Sequence, residues 1–188
     1  MEEVIGPGGM EDFLNRADLA SIKYACKARD EQTSISYQDL TTAQCNLEEV
    51  YGQPGGRGLA QIAGRNYFTF GLRQYGKSLG LLDLSFKLLP LRTKLYTGLL
   101  RIADLINRSS HSNVKVETTP KQIRWVIESC PLCWKRHSDV PVCHLHVGML
   151  QEFTYWISGG KIFSIVESEC SAMGANACVF TINKAPLE

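Results

Sequence analysis

Apolar residues in the first half of the chain recur at three- and four-residue steps, the spacing of one face of an α-helix. This pattern predicts mostly helix from residue 10 to about residue 110. One apolar stripe comprises Leu59, Ile62, Ala63, Tyr67, Phe70 and Tyr75. A second helix is predicted to open at Pro90, and its stripe comprises Leu91, Leu95, Leu99, Ile102 and Ile106.

Glycine and proline residues divide this helical half. Residues 1–9, MEEVIGPGG, are predicted to be a flexible lead-in. A shorter helix is predicted to end at Gly52, ahead of a loop with the sequence QPGGRG. Gly64, Gly71 and Gly76 interrupt the longer helix, where a glycine costs about 1 kcal/mol against alanine. We expect these glycines to let a neighbouring backbone or a ligand come close.

After Asn113 the hydrophobic period changes from helical to strict alternation, which is typical of half-buried strands. The alternation continues on both sides of a TPK turn and predicts a β-hairpin. A helix is then predicted from Asp139 to a Gly-Gly pair, and residues 161–169 and 176–182 are predicted to form a second hairpin. The fold class is therefore α+β, with N-terminal helices packed on an antiparallel four-stranded sheet built as strand-strand-helix-strand-strand.

Length and charge narrow the class of protein. The 188 residues predict a single domain over residues 10–188, with a helical half (10–110) and a sheet half (113–183). The 20 Lys and Arg residues nearly cancel the 19 Asp and Glu residues, so no strong field favours nucleic acid. No apolar run has the length of a membrane span, and the acidic start MEEV is unlike a signal peptide. These features predict a cytoplasmic protein whose cysteines are thiols or metal ligands.

The predicted C-terminal hairpin concentrates groups that bind metal ions. Strand alternation places Glu167 and Cys178 on the inward, apolar faces of their strands, and Cys170 lies at the strand end between them. A lone buried carboxylate is costly, and tetrahedral zinc takes four ligands of this kind. The three residues therefore predict a zinc site that needs one further ligand.

The residues alone leave two candidates for the fourth ligand. Cys143 falls in the first turn of the predicted helix, and Cys130 and Cys133 form a CxxC pair typical of half a zinc knuckle. A rival site would combine these three cysteines with His146, one helical turn further along. The alternative without a metal is that the cysteines pack as small hydrophobic side chains, and that Glu167 pairs with a lysine or arginine.

Three segments in the last third of the chain carry a dense motif: CPLC, VCHLHVGMLQEFTYWISGGK and VESECSAMGANACVFTI. The final segment has the form E-x2-C-x3-G-x3-C-x-F-x-I, at Glu167, Cys170, Gly174, Cys178, Phe180 and Ile182. This part of the chain resembles the 4-vinyl reductase domain family, whose domain ends in this form. The upstream helices fit the family's longer domain loosely.

The resemblance implies a ligand-binding fold shared with vesicle-tethering TRAPP subunits and haem-based nitric-oxide sensors, and a role in binding small hydrophobic ligands. In aromatic-sensing bacterial activators that carry this domain, one cysteine of the upstream helix and the terminal hairpin hold zinc. The matching residues here are Cys143, Glu167, Cys170 and Cys178. Such a set leaves no position for water, so the zinc would be structural. Cys130 and Cys133 would then be spare thiols or a loop feature of a subgroup.

The resemblance also implies that part of the core is hollow. The expected lining consists of large apolar side chains, which are Tyr67, Phe70, Trp125, Met149, Phe153 and Trp156. The alternative is that these residues simply pack the core. Arg65 and Arg73, about two turns apart, could meet an acid group on a ligand or could be solvated.

Three functions are compatible with these features. We favour a non-enzymatic carrier or sensor for a small hydrophobic ligand, aromatic or tetrapyrrole-like, which acts as a homodimer or through a downstream protein partner. The second is a vinyl reductase of bacteriochlorophyll synthesis, or its accessory subunit. An enzyme is less favoured, because GGRGLAQIAG lacks the G-x-G-x-x-G spacing of a dinucleotide site. The third is a scaffold or tethering subunit with no small ligand.

Overall fold

The computed structural model describes residues 2–16, Ile22 and residues 35–187. In this part of the chain the helices are α1 (Glu2–Arg16), α2 (Tyr37–Tyr75), α3 (Leu84–Lys87), α4 (Leu91–Ser109) and α5 (His144–Ser158). The strands are β1 (Val114–Thr118), β2 (Gln122–Ile127), β3 (Phe163–Glu169) and β4 (Cys178–Pro186). The predicted α+β class, with helices packed on a four-stranded antiparallel sheet, is confirmed.

The four strands form one antiparallel sheet in the order β1-β2-β4-β3. Both predicted hairpins are present, and β2 and β4 pair at the centre of the sheet. Trp125 lies opposite Phe180 in this central pair, and both side chains are fully buried. Ile127, the last residue of β2, lies opposite Cys178, the first residue of β4. The chain that leaves β2 therefore starts beside Cys178.

α2 consists of two helical limbs joined at a break. Its start is capped by Ser36, whose Oγ accepts the amide N–H of Asp39 at 3.1 Å. Gly52 ends the first limb with φ 71° and ψ 162°, a combination open to glycine alone. The predicted loop QPGGRG is wrong, because these residues begin the second limb. Pro54 is compatible with the first turn of a helix, where its missing N–H leaves no hydrogen bond unmade.

α1 occupies most of the segment predicted to be a flexible lead-in, residues 1–9. The chain is helical there from its second residue, with a break at Gly6, where φ is 73° and ψ is 166°. A proline follows this glycine, as one follows the break in α2, so the Gly and Pro residues interrupt the helix without abolishing it. Phe13 and Leu14 of α1 are buried in a small apolar cluster against α2.

α5 begins later than predicted. We expected a start at Asp139, but Cys143 is the N-cap. The preceding residues form a turn in which Ser138 Oγ donates to the carbonyl oxygen of Val140 at 2.8 Å and accepts its N–H at 3.2 Å. Serine side chains that bond to the backbone in this way compete with helix formation. The helix ends as expected at Gly159, which has φ 75°.

The main core lies between the sheet, α4 and α5. Leu95 and Leu99 of α4 and Phe153 of α5 are fully buried in it. α2 and α5 cross with their backbones in close contact at Gly64 and Gly148, which confirms the close approach expected at Gly64. Within residues 2–16 and 35–187, no helix combines the length and apolar character that a membrane span needs.

Candidate metal centre and ligand cavity

The loop of residues 128–143, here called the cysteine loop, brings the two cysteine-rich parts of the chain together. It begins next to Cys178 of β4 and ends at the N-cap of α5. Five cysteines meet there, each at most 4% exposed, and they are Cys130, Cys133, Cys143, Cys170 and Cys178. Glu167 is 6% exposed beside them. These six residues, here called the thiol site, close one end of the sheet.

The sulfur atoms lie at separations expected for ligands of a shared metal ion. Cys143 Sγ is 3.5 Å from Cys130 Sγ and 3.8 Å from Cys178 Sγ. Cys178 Sγ is also 3.4 Å from Cys133 Sγ. Zn–S bonds of about 2.3 Å in a tetrahedron place sulfur atoms about 3.8 Å apart. The separations are therefore compatible with ligands of one metal ion, and also with direct contacts between thiols.

Two overlapping sets of four residues could each hold a metal ion, since their ligand atoms all lie within 4.8 Å of one another. The first set is Cys143, Glu167, Cys170 and Cys178, and the second is Cys130, Cys133, Cys143 and Cys178. Both candidates for the fourth ligand are thus present at the site. The alternative ligand His146 is in neither set. Its ring packs edge-on against Phe180, with 5.6 Å between the ring centroids.

Glu167 is buried with half of its carboxylate unpaired. Its Oε2 accepts the amide N–H of Cys143 at 2.8 Å. Its Oε1 has no hydrogen-bond partner among the described residues, and none of their ion pairs includes Glu167. Burial, followed by the negative charge of Cys170, raises the pKa of Glu167 to about 9. The expected alternative, a lysine or arginine partner, is therefore absent here, and the orphaned oxygen fits a metal ligand.

Hydrogen bonds among the thiols divide them into donors and acceptors. Those from Cys133 and Cys143 lower the pKa of Cys130 to about 6, and likewise that of Cys170. Hydrogen bonds from the other four thiols, Cys130 first, lower the pKa of Cys178. Hydrogen bonding to Cys130 raises the pKa of Cys133 and of Cys143. Several sulfurs thus favour the thiolate, which is the form that binds metals.

The first limb of α2 contacts the backbone of the cysteine loop around the second CxxC thiol. Thr41 Oγ1 donates to the carbonyl oxygen of Pro131 at 2.8 Å and accepts the amide N–H of Trp134 at 3.1 Å. The ring of Tyr37 packs edge-on against Trp134, with 5.6 Å between centroids. These contacts fix the backbone on both sides of Cys133.

Two further side chains of α2 hold the rest of the loop. Arg136 Nη2 lies 2.6 Å from Glu48 Oε2, and these side chains are only 14% and 9% exposed. Gln44 Nε2 donates to the carbonyl oxygen of Val142, next to the N-cap of α5. The sequence pattern did not predict this support. The available signal was three polar residues, beginning at Thr41 and spaced three and four positions apart, on a face of α2 that the structure buries.

An apolar cavity of about 380 Å³, here called the ligand cavity, lies between the second limb of α2 and α4. Its walls are Tyr67, Phe68, Phe70, Gly71, Leu72, Tyr75, Leu79, Leu81, Ile102, Leu105, Ile106, Ser109 and Met149. Tyr67 is 55% exposed and Phe70 is 67% exposed, so the cavity opens to solvent beside these rings. The lining is mostly apolar, and its residues with hydroxyl groups are two tyrosines and one serine.

Three of the six residues expected to line a pocket, Tyr67, Phe70 and Met149, do line this cavity. Trp125 and Phe153 instead pack in the core with no exposed surface. Both positions follow the inward-facing periodicity of ordinary core residues. That periodicity is the same whether the core is filled or contains a cavity.

Trp156, the sixth expected residue, is likewise outside the cavity walls. Its ring contacts Phe68 at 6.0 Å between centroids. The residues of α4 that line the cavity were not predicted, because the apolar stripe of that helix was assigned to the core. Arg65 is also outside the ligand cavity, where its Nη2 donates to Gln151 Oε1 at 3.0 Å.

Comparison with known families finds a match in the C-terminal third of the chain. The V4R domain model matches residues 123–184, from β2 through β4. The resemblance to the 4-vinyl reductase domain family is confirmed, and its matched segment contains all of the thiol site. Among curated proteins, none matches the sequence of this chain.

Solved structures share the fold over a larger part of the chain. The phenol-responsive sensory domain of the transcription activator PoxR, solved with phenol, is 18% identical, with a TM-score of 0.55, over 79% of this chain and 74% of its own. An H-NOX protein from S. oneidensis in the Fe(II)NO ligation state is 12% identical, with a TM-score of 0.56, over 100% of both chains. A mutant H-NOX domain from Shewanella oneidensis is 15% identical, with a TM-score of 0.60, over 96% and 92%. At identities this low, the structural similarity shows a common fold alone.

Proposed function

We propose that this chain is a non-enzymatic sensor or carrier module for a small hydrophobic ligand, and that the thiol site holds structural zinc. The observation that carries the proposal is the ligand cavity of about 380 Å³ with its apolar walls. Cavities that bind small molecules are typically about 300–1,000 Å³ and mostly apolar. Two of these neighbours, one solved with phenol and one with NO on iron, support the same use of this fold.

The size of the cavity favours an aromatic ligand over a tetrapyrrole. A dry apolar cavity of about 150 Å³ is large enough for benzene. The ligand cavity would therefore accept one or two fused rings with small substituents. The side chains of Tyr67 and Tyr75 in its walls carry hydroxyl groups that could orient a single polar group on such a ligand.

Zinc at the thiol site would serve the fold. Cys143, Glu167, Cys170 and Cys178 supply three thiolates and a carboxylate, a donor set that closes a tetrahedral site. When bound, the ion supplies a cross-link and a counter-charge. It would tie the β3–β4 hairpin to the start of α5, and α5 carries Met149 into the wall of the ligand cavity.

Substitution of one glycine tests the cavity directly. Gly71 lines the cavity, and a Cβ built on it would meet no atom within 4 Å. Gly71→Leu should fill the cavity without disturbing its walls. Gly58 lies on the same helix outside the cavity and is equally open, so Gly58→Leu is the matched control.

The measurement is binding of phenol and of naphthol by calorimetry, together with the thermal shift. We expect the wild type and Gly58→Leu to bind at least one probe, with about 2.7 kcal/mol of stabilisation at a hundredfold excess over Kd. Gly71→Leu should bind at least tenfold more weakly. Equal binding by both variants, or no binding by the wild type, overturns the cavity as the ligand site. In the latter case, NADPH-dependent loss of a pigment vinyl group would favour the reductase alternative, and a stable hetero-complex would favour the tethering alternative.

A further inference from the structure

The two four-residue sets at the thiol site share Cys143 and Cys178. We propose that the site holds two zinc ions as a binuclear cluster, in which these two thiolates bridge the metals. Glu167 and Cys170 complete one tetrahedron, and Cys130 and Cys133 complete the other. This inference rests on the proposed zinc site and adds to it a second metal position and a role for the CxxC pair.

The sulfur positions are compatible with two tetrahedra that share an edge, since the ligand atoms of each set lie within 4.8 Å of one another. The shared edge is the 3.8 Å separation of Cys143 Sγ and Cys178 Sγ. Cys130 Sγ lies 3.5 Å from the first of these atoms, and Cys133 Sγ lies 3.4 Å from the second. These separations are close to the edge of about 3.8 Å that Zn–S bonds of about 2.3 Å define. Each CxxC sulfur therefore lies close to one of the two bridging sulfurs and within 4.8 Å of the other.

Charge favours the second ion. With one zinc bound by three thiolates and a carboxylate, the formal charge is minus two, and Cys130 and Cys133 remain as buried thiols. A second divalent ion that replaces those two protons leaves the formal charge at minus two. The second ion thus adds four metal–sulfur bonds to a buried site at no increase in net charge, whereas uncompensated thiolates would be costly there.

The CxxC pair is also held in place before any metal binds. Thr41 bonds to the backbone at Pro131 and Trp134, and the buried Arg136–Glu48 pair holds the loop beyond them. Contacts of this kind around ligands orient them and raise metal affinity.

The test is the zinc content of the full chain, reconstituted with zinc and measured by native mass spectrometry. We expect two zinc ions per chain. Cys130→Ser/Cys133→Ser should retain one ion, half of the wild-type content. Cys45→Ser, at a cysteine outside the thiol site, should retain two.

The possible results separate this inference from the proposed zinc site. One ion in the wild type that survives Cys130→Ser/Cys133→Ser overturns the second position and leaves the first intact. One ion that is lost in that variant overturns both assignments in favour of a single four-thiolate site. No ion in the wild type overturns both.

A second measurement uses the wild type alone, in case the double variant does not fold. Cadmium NMR of the cadmium-substituted protein should give two resonances of equal intensity, one in the range of four-thiolate sites and one in the range of sites with three thiolates and an oxygen. A single resonance at saturation overturns the binuclear cluster.

Discussion

Gly64 of α2 and Gly148 of α5 face each other's backbones. A Cβ built on Gly64 would overlap the carbonyl oxygen of Leu145 and lie 2.8 Å from its carbonyl carbon. A Cβ built on Gly148 would overlap the carbonyl oxygen of Gln61 and lie 2.7 Å from its carbonyl carbon. The helix that starts at the thiol site therefore crosses the helix that walls the ligand cavity with no side chain between them.

This crossing predicts that alanine is too large at either position. Gly64→Ala or Gly148→Ala should lower the free energy of unfolding by about 1–3 kcal/mol, because the rigid backbone opposite must move. Urea denaturation measures the change. Gly58→Ala, on the same helix with nothing within 4 Å, should be neutral or stabilising by up to about 1 kcal/mol. A denaturation midpoint unchanged by the crossing variants would show that the helices do not pack this closely.

Loss of one zinc ligand should destabilise the whole domain. In Cys170→Ser we expect a lower zinc content and a fall in melting temperature, because the binding energy of a structural metal is part of the folding energy. A chelator should produce the same fall in the wild type and little further change in the variant. Cys45→Ser is the control with intact metal binding. If neither the chelator nor the substitution changes the melting temperature, the metal does not have a structural role.

The metal-free protein should lose stability as the pH rises. The pKa of Glu167 is about 9 in the folded chain, above the value of about 4.3 for an unfolded chain. The folded state keeps the proton between these values, so stability is full below the lower value and is lost towards the higher one. Glu167→Gln stays neutral, so its unfolding midpoint should fall less between pH 5.5 and pH 8.5 in the presence of a chelator. Parallel pH profiles for the two proteins would contradict this environment for Glu167.

The Arg136–Glu48 pair gives a fourth prediction. Both side chains are largely buried, so Arg136→Met should cost about 3 kcal/mol by leaving the carboxylate of Glu48 without its partner. Adding Glu48→Gln to this variant should restore part of the loss. A double-mutant cycle from urea denaturation measures the coupling. If the two substitutions are additive, the pair does not anchor the cysteine loop.

Local patterns sufficed for the sheet and for part of the site. Strand alternation placed Glu167 and Cys178 on the inward face, and the structure buries both. The same kind of pattern failed where tertiary contacts decide. The sequence around Pro54 resembles a loop, yet it begins a helix because the neighbouring Gly52 absorbs the change of direction.

Two features of the site could not be predicted from the sequence, because both depend on tertiary contacts. The cysteine loop and the hairpin come together only because Ile127 and Cys178 occupy opposite positions in a pairing of distant strands. Apolar stripes on α2 and α4 have the same sequence pattern whether the space between them is filled or hollow. Side-chain volume in three dimensions, which periodicity does not carry, makes that difference.

The unbroken course of α5 from its Cys143 cap has a consequence for chain length. With a rise of about 1.5 Å per residue, the six positions from the cap to Met149 set a spacing of about 9 Å between the proposed metal ligand Cys143 and the cavity wall. One residue inserted between them would rotate everything downstream by about 100° and turn the Met149 side chain away from the hollow. An insertion or deletion along that stretch would therefore change the relative orientation of the two positions, whereas a substitution would keep their spacing.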